Sequence, residues 1–210
     1  MTDFSDLVSG YRRFRADDWP RQHERWAKLA EGQNPQVMVI ACSDSRIDPA
    51  TLFDARPGEM FVVRNVANLV PPFELGGLRH GVSSALEFAV TQLQIPEIIV
   101  MGHGQCGGIN ASLTRRFDNK PPGEGGFIAR WLELLDEASA RVRTEHGEGE
   151  EAIRALELEG VKVSLANLRT FPCIRSEEAA GRLKLWGTYF SIRDGVLHIL
   201  DEGTGAFSPA

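Results

Sequence analysis

Two short segments of this 210-residue chain concentrate residues able to hold a metal and move a proton: ACSDSR, at 41–46, and GHGQCGG, at 102–108. Cys42, His103 and Cys106 offer two sulfurs and one imidazole nitrogen. Zinc favours that donor set in tetrahedral geometry, and three protein ligands leave a fourth position open, as in catalytic rather than structural sites. Asp44 and Arg46 lie two apart, and their opposite charges can pair, which keeps the carboxylate ionised and aims it by charge-assisted hydrogen bonds. Beside a metal, such a carboxylate could accept a proton from bound water or fill the open position itself. Taken singly, each residue has a plainer reading: a buried free cysteine at a strand end is a small hydrophobe, and a lone H-x-x-C is weak. The argument lies in their convergence.

That convergence depends on the elements that carry them. VMVIAC (37–42), MFVVRNVA (60–67) and EIIVMGH (97–103) are continuous apolar runs of strand length, and strands apolar on both faces suit a parallel sheet sandwiched by helices. GVSSALEFAVTQLQI (81–95) places Val82, Leu86, Ala89, Val90 and Leu93 on one helical side, so the second and third strands form a right-handed crossover unit. In open α/β sheets, sites form at the carboxyl ends of the strands. The first strand ends at Cys42 and the third at His103, so both reach one crevice, with Cys106 three residues on. A helix beginning near Cys106 would favour its thiolate.

Elsewhere, 4–15 and 20–31 read as two amphipathic helices, the second opened by Pro20 and stopped by Gly32. Their apolar faces have two possible covers, the same chain or a neighbouring subunit. Residues 127–145 and 150–169 are expected helices, 118–126 a surface loop, and KLWGTYFSI and VLHILD around RDG a closing hairpin. Asp48, before Pro49, reads as a turn or cap residue. Nothing divides the chain by composition, so the expectation is a single α/β domain over 1–210, with a helical arm at 1–32 and a core at 33–210.

The composition excludes several roles. With 42% hydrophobic residues the chain can build a core without staples, and a net charge of −6 with its basic residues scattered argues against nucleic acid. No run approaches the roughly 18 apolar residues of a membrane span, and the N-terminus lacks the apolar stretch of a secretory signal. Three widely spaced cysteines, Cys42, Cys106 and Cys173, are no disulfide framework, and the expected location is the cytoplasm. Cys173 reads as structural, and His23, His80, His146 and His198 as surface or loop residues. A phosphatase loop is disfavoured because Asp44 would repel phosphate and the loop lacks cradling glycines. A thioredoxin-like role lacks its C-x-x-C.

CSDSR, RPGEMFVVRNVAN and GHGQCGG together resemble the β-class carbonic anhydrases, and GQNPQVMVIACSDSR with VPPFE resembles their plant-type branch. The likeness runs from about Gln33 to the closing hairpin. It implies an α/β fold with a mostly parallel central sheet flanked by helices, and N-terminal helices laid over a partner subunit. It implies one Zn2+ per chain on Cys42, His103 and Cys106, Asp44 and Arg46 as catalytic dyad, and reversible hydration of CO2 to bicarbonate by zinc-bound hydroxide. Gln33, Phe61, Val66, Phe88 and Gly107 fall on the substrate pocket, with Gln33 reaching into the partner's site. Phe88 stands where the plant-type branch usually has tyrosine. Val39 stands where the bicarbonate-inhibited branch has tryptophan, so that inhibitory site is not expected although Arg64 is present. The resemblance also implies a homodimer, often paired into a homotetramer or larger assembly. Hydrolysis of carbonyl sulfide or carbon disulfide, and a non-catalytic zinc module, are the alternatives on the same ligands.

Overall fold

The computed structural model describes residues 2–76 and 80–210. The chain forms two compact units, one ending at Asn34 and one spanning Pro35–Ala210.

In the first unit, Asp3 opens helix α1 (Phe4–Arg13) with a reciprocal cap: its carboxylate accepts the Asp6 N–H at 3.0 Å, and the Asp6 carboxylate accepts the Asp3 N–H at 3.1 Å. A π-helical turn (Phe14–Asp18) leads into the short α2 (Trp19–Arg21) and α3 (His23–Glu31), which Gly32 ends. The two expected helices are thus nearly one run. No glycine or proline interrupts residues 11–19, and the wide turn accommodates Pro20, which has no N–H to offer the ladder. None of these helices has a buried residue. The unit is held by ring contacts: Phe14 meets Trp26 edge to face at 5.8 Å, and the Arg15 guanidinium lies 4.1 Å over the Trp19 ring.

The second unit follows the order β1 (Val37–Cys42), α4 (Pro49–Leu52), β2 (Met60–Asn65), a 3-10 turn (Val66–Asn68), α5 (Gly81–Glu87) continued by a π turn (Phe88–Gln92), and β3 (Glu97–His103). It then runs through α6 (Gly107–Leu113), α7 (Gly126–Leu132), α8 (Asp136–His146), α9 (Glu150–Leu168) and α10 (Pro172–Ala179) to β4 (Lys184–Ser191), β5 (Val196–Asp201) and β6 (Ala206–Pro209). Among the described residues these strands form one sheet, in the order β2-β1-β3-β4-β5-β6. The first four are parallel, and β5 and β6 add on antiparallel. The closing hairpin is therefore β4–β5, but its first strand is also the parallel neighbour of β3. Neither β6, nor α4, nor α10 has a counterpart among the sequence expectations.

Strand β1 shows why both faces must be covered. Met38 and Ile40 enter one apolar layer with Val100, Val161 and Leu165, while Val39 and Ala41 enter the other with Met101, Ile109 and Leu156. All four β1 side chains are fully buried, as a strand between two helical layers requires. Helix α9 spans both layers, contributing Leu156 to one and Val161, Leu165 and Leu168 to the other. Among the described residues no helix is long and apolar enough to cross a membrane.

Candidate metal centre

The carboxyl ends of β1 and β3 lie side by side, and the loops leaving them carry the chemistry. After β1 the chain turns at Ser43, whose N–H donates to Asn65 O at 2.8 Å, the last residue of β2. Arg64 then ties this loop down from the edge strand. Its Nε donates to Cys42 O at 2.9 Å, and Nη2 donates to Asp44 O at 2.7 Å and Ile47 O at 2.6 Å. One guanidinium thus satisfies three loop carbonyls. Asp48 caps α4, accepting from the Thr51 N–H and hydroxyl at 3.3 and 2.8 Å, as its place before Pro49 implied.

After β2, Ala67 and Asn68 adopt left-handed backbone (φ 64° and 50°), a costly state for residues with a Cβ. The Asn65 side chain pins this turn from both sides, accepting the Leu69 N–H at 2.9 Å and donating to Leu69 O at 2.8 Å. The turn delivers the Ala67 N–H to Cys42 Sγ at 3.4 Å. Helix α6 packs so tightly here that a Cβ on Gly108 would sit 2.8 Å from Val66 Cγ1.

Three side chains converge. Cys42 Sγ and Cys106 Sγ are 3.9 Å apart, and their sulfurs and a His103 ring nitrogen all lie within 4.8 Å of one another. A tetrahedral zinc with bonds of about 2.3 Å sets two sulfurs about 3.8 Å apart, so the spacing matches. His103 Nδ1 lies 3.0 Å from Gly104 O, which assigns it the proton and leaves the Nε2 lone pair free; Nε2 is buried with no partner. A buried, unpartnered ring nitrogen beside two buried thiols is the donor set a zinc ion satisfies. Among the described residues no other group of histidine, cysteine and acidic side chains comes together in this way.

The two thiols titrate as a pair. The hydrogen bond from Cys106 holds Cys42 well below the ordinary thiol range although burial opposes ionisation. Cys106, giving that bond, is pushed up by it and by burial. The opposite shifts describe one proton between two sulfurs: the first loss is easy and the second hard, until a cation replaces the proton.

Asp44 is not part of the ligand triangle. Arg46 grips it through Nε to Oδ1 at 2.9 Å and Nη2 to Oδ2 at 2.7 Å, while the Arg46 N–H also donates to Oδ1 at 2.9 Å. Nη2 donates besides to Gln105 O at 2.9 Å, which ties the first loop to the second. These bonds to Arg46 hold the Asp44 carboxyl far below the usual carboxylate range.

The second loop needs its own strain. Gln105 is left-handed (φ 56°), Cys106 is the N-cap of α6 as expected, and a Cβ on Gly104 would lie 2.7 Å from the Tyr189 hydroxyl. From behind, Glu157 of α9 accepts the Cys106 N–H at 2.9 Å and the Tyr189 hydroxyl at 2.9 Å. Neither Glu157 nor the Arg64 clamp was singled out from the sequence. Both act on backbone groups far away along the chain, which leaves no local pattern.

The other expected residues fall into separate places. Val66 lies at the metal side, over Gly108, and the Gly107 Cα faces open space. Phe61 and Phe88 stack on each other (6.1 Å, 29°), and Phe61 packs against a different apolar cluster from the one that holds Cys42 and Cys106. Gln33 belongs to the first unit. Cys173 is half-buried beside the layer of Val90 and Ile95. His198 lies on β5, within the expected strand VLHILD, and its Nδ1 is buried rather than at the surface.

Comparison with known proteins agrees with this geometry. The family model described as carbonic anhydrase matches residues 37–197. A carbonic anhydrase of Pseudomonas aeruginosa is 37% identical over 204 residues, 96% of this chain and 90% of that protein. The solved β-carbonic anhydrase CcaA superposes with a TM-score of 0.90 at 31% identity, covering 98% of this chain and 91% of that one. A chain from the tetrameric β-carbonic anhydrases of the ascomycete Sordaria macrospora gives a TM-score of 0.79 at 27% identity, covering 98% of each chain.

Proposed function

This chain belongs to the β-class carbonic anhydrases, and from that premise we propose that it catalyses the zinc-dependent, reversible hydration of carbon dioxide to bicarbonate and a proton. The observation that carries the reading is the triangle of Cys42, His103 and Cys106, with its 3.9 Å sulfur spacing and orphaned His103 Nε2. Those three residues hold the ion, one per chain. Zinc bound there supplies Lewis-acid chemistry, lowering the pKa of water enough to provide a nucleophile near neutral pH.

The chain's own residues do the rest. Two thiolates offset the formal charge of the ion, so proton removal needs help, and Asp44 accepts that proton. Its grip by Arg46 serves this role by fixing the carboxylate in one orientation with a free lone pair. The Gly107 N–H orients a substrate oxygen, and Val66 forms an apolar wall at the metal side.

Phe61, Phe88 and Gln33 complete the pocket from a second copy. Support comes from Phe61 packing against a different apolar cluster from the triangle's, from the 44% exposure of Phe88, and from β2 being a sheet edge. The apolar face of α1, with Phe4, Leu7 and Tyr11 exposed, is then covered in a homodimer that can pair further into a tetramer. Three free cysteines suit a reducing compartment such as the cytoplasm.

The test is metal removal. A chelator strong enough to take one zinc per chain should abolish CO2 hydration, and added zinc should restore it. Hydration that persists in zinc-free protein would overturn the proposal.

A further inference from the structure

We propose that Glu157 is a positioning residue for the metal centre: reaching from α9, its carboxylate holds the Cys106 amide and so sets the Cys106 sulfur in the ligand triangle. The inference rests on the zinc reading above and assigns a role to a residue 51 positions along the chain from the ligand it holds.

Glu157 is 3% exposed and Cys106 1% exposed, so neither the carboxylate nor the amide can turn to water instead. Both carboxylate oxygens are used: Oε1 accepts the Cys106 N–H and Oε2 accepts the Tyr189 hydroxyl, each at 2.9 Å. No ion pair within 4.0 Å accompanies this buried carboxylate among the described residues. Burying an acid is costly even with the Arg154 guanidinium, which lies 3.5 Å over the Tyr189 ring, acting on it from beyond ion-pair distance, and packing alone would be served better by an apolar side chain of similar size. Its placement makes sense through what it grips.

The gripped segment is short and strained. From His103 to Cys106 it passes the left-handed Gln105, and Gly104 is pressed against the same Tyr189 hydroxyl that bonds Glu157. Arg46 holds the front of the loop through Gln105 O at 2.9 Å. Glu157 holds the back. With the front hold alone, the Cys106 amide would be buried without an acceptor, and the loop would relax to find one, carrying the sulfur with it. Groups that orient a ligand without touching the metal tune affinity in this way.

The test compares wild type, Glu157→Leu and Glu157→Gln as full-length protein. Zinc affinity is read by competition with a chromophoric chelator, and site geometry by the thiolate-to-cobalt absorption bands after substitution with Co2+. Glu157→Leu has no acceptor for the amide and should bind zinc at least about tenfold more weakly, with altered cobalt bands. Glu157→Gln keeps an acceptor oxygen and should bring both readouts back towards wild type. Wild-type affinity and cobalt spectrum in Glu157→Leu, even with a lowered melting temperature, would make Glu157 merely structural and overturn the proposal. If Glu157→Leu does not fold, Glu157→Asp decides: its carboxylate is drawn back by one carbon, weaker zinc binding is expected, and unchanged binding and spectrum overturn the proposal. A wild-type protein that binds no zinc would instead remove the zinc reading, and this inference with it.

Discussion

Arg46 closes on Asp44 with one edge of its guanidinium, Nε to Oδ1 at 2.9 Å and Nη2 to Oδ2 at 2.7 Å, while the same Nη2 reaches Gln105 O on the other metal-ligand loop. The pair is local in sequence, but it binds two segments 59 residues apart. It keeps a carboxylate charged beside the ligand triangle, and the Asp44 side chain is 16% exposed, open enough to exchange a proton with solvent.

Asp44→Asn should retain one zinc per chain and lose CO2 hydration by about 100-fold or more, because the amide cannot accept the proton. Zinc analysis and stopped-flow hydration on the same sample decide it. Full turnover in the variant would take Asp44 out of the mechanism.

The pH dependence of the same pair has a definite sign. Arg46 depresses the folded-state pKa of Asp44, so the stability it adds is present above the unfolded value of about 3.9 and is lost as pH falls through the folded value. In metal-free protein, the urea-midpoint difference between wild type and Asp44→Asn should shrink as pH falls below about 4. A difference that stays unchanged down to pH 3 would mean that Asp44 adds no charge-dependent stability in the folded state.

Arg64→Ala strands three loop carbonyls, those of Cys42, Asp44 and Ile47. The expected cost is about 2 kcal/mol in urea unfolding. Lysine should recover only part, since one ammonium cannot reproduce the fork. The same engagement leaves Arg64 committed to backbone, and Val39 is sealed in the core. Bicarbonate added near pH 8 should therefore produce no steeper loss of activity than a control anion; a steep, bicarbonate-specific loss would contradict this.

Gly108→Ala drives a methyl to 2.8 Å from Val66 Cγ1 and 3.1 Å from Ala67 Cβ. The Ala67 turn must then shift, weakening its N–H bond to Cys42 Sγ. A loss of about 1–3 kcal/mol in thermal or urea unfolding is expected. An unchanged melting temperature would mean that the turn yields more easily than its two left-handed residues suggest.

The parts of this protein legible in the sequence are those governed by local pattern. The runs 37–42 and 97–103 became β1 and β3 at the expected residues because a strand buried on both faces can hardly be anything but continuously apolar. The meeting of Cys42, His103 and Cys106 followed from parallel strands ending at one sheet edge. Short elements escaped notice: β6 has four residues and a proline, and α10 announces itself only through Pro172 at its first turn. The buttresses Arg64, Glu157 and the Ser164 hydroxyl, which accepts from the Val70 N–H and donates to Asn68 O, bond backbone groups 17 to 96 residues away. No spacing rule encodes such reach. The stacking of Phe61 on Phe88 likewise depends on the crossover rather than on either segment alone.

The most direct test is stopped-flow CO2 hydration from pH 6.5 to 9 on protein whose zinc content per chain has been measured, with carbonyl sulfide hydrolysis assayed on the same sample. Fast hydration at about one zinc per chain, lost on chelation, is the predicted result. Full zinc occupancy with no hydration at any pH would contradict the account, and carbonyl sulfide turnover on that sample would assign the site to a different substrate.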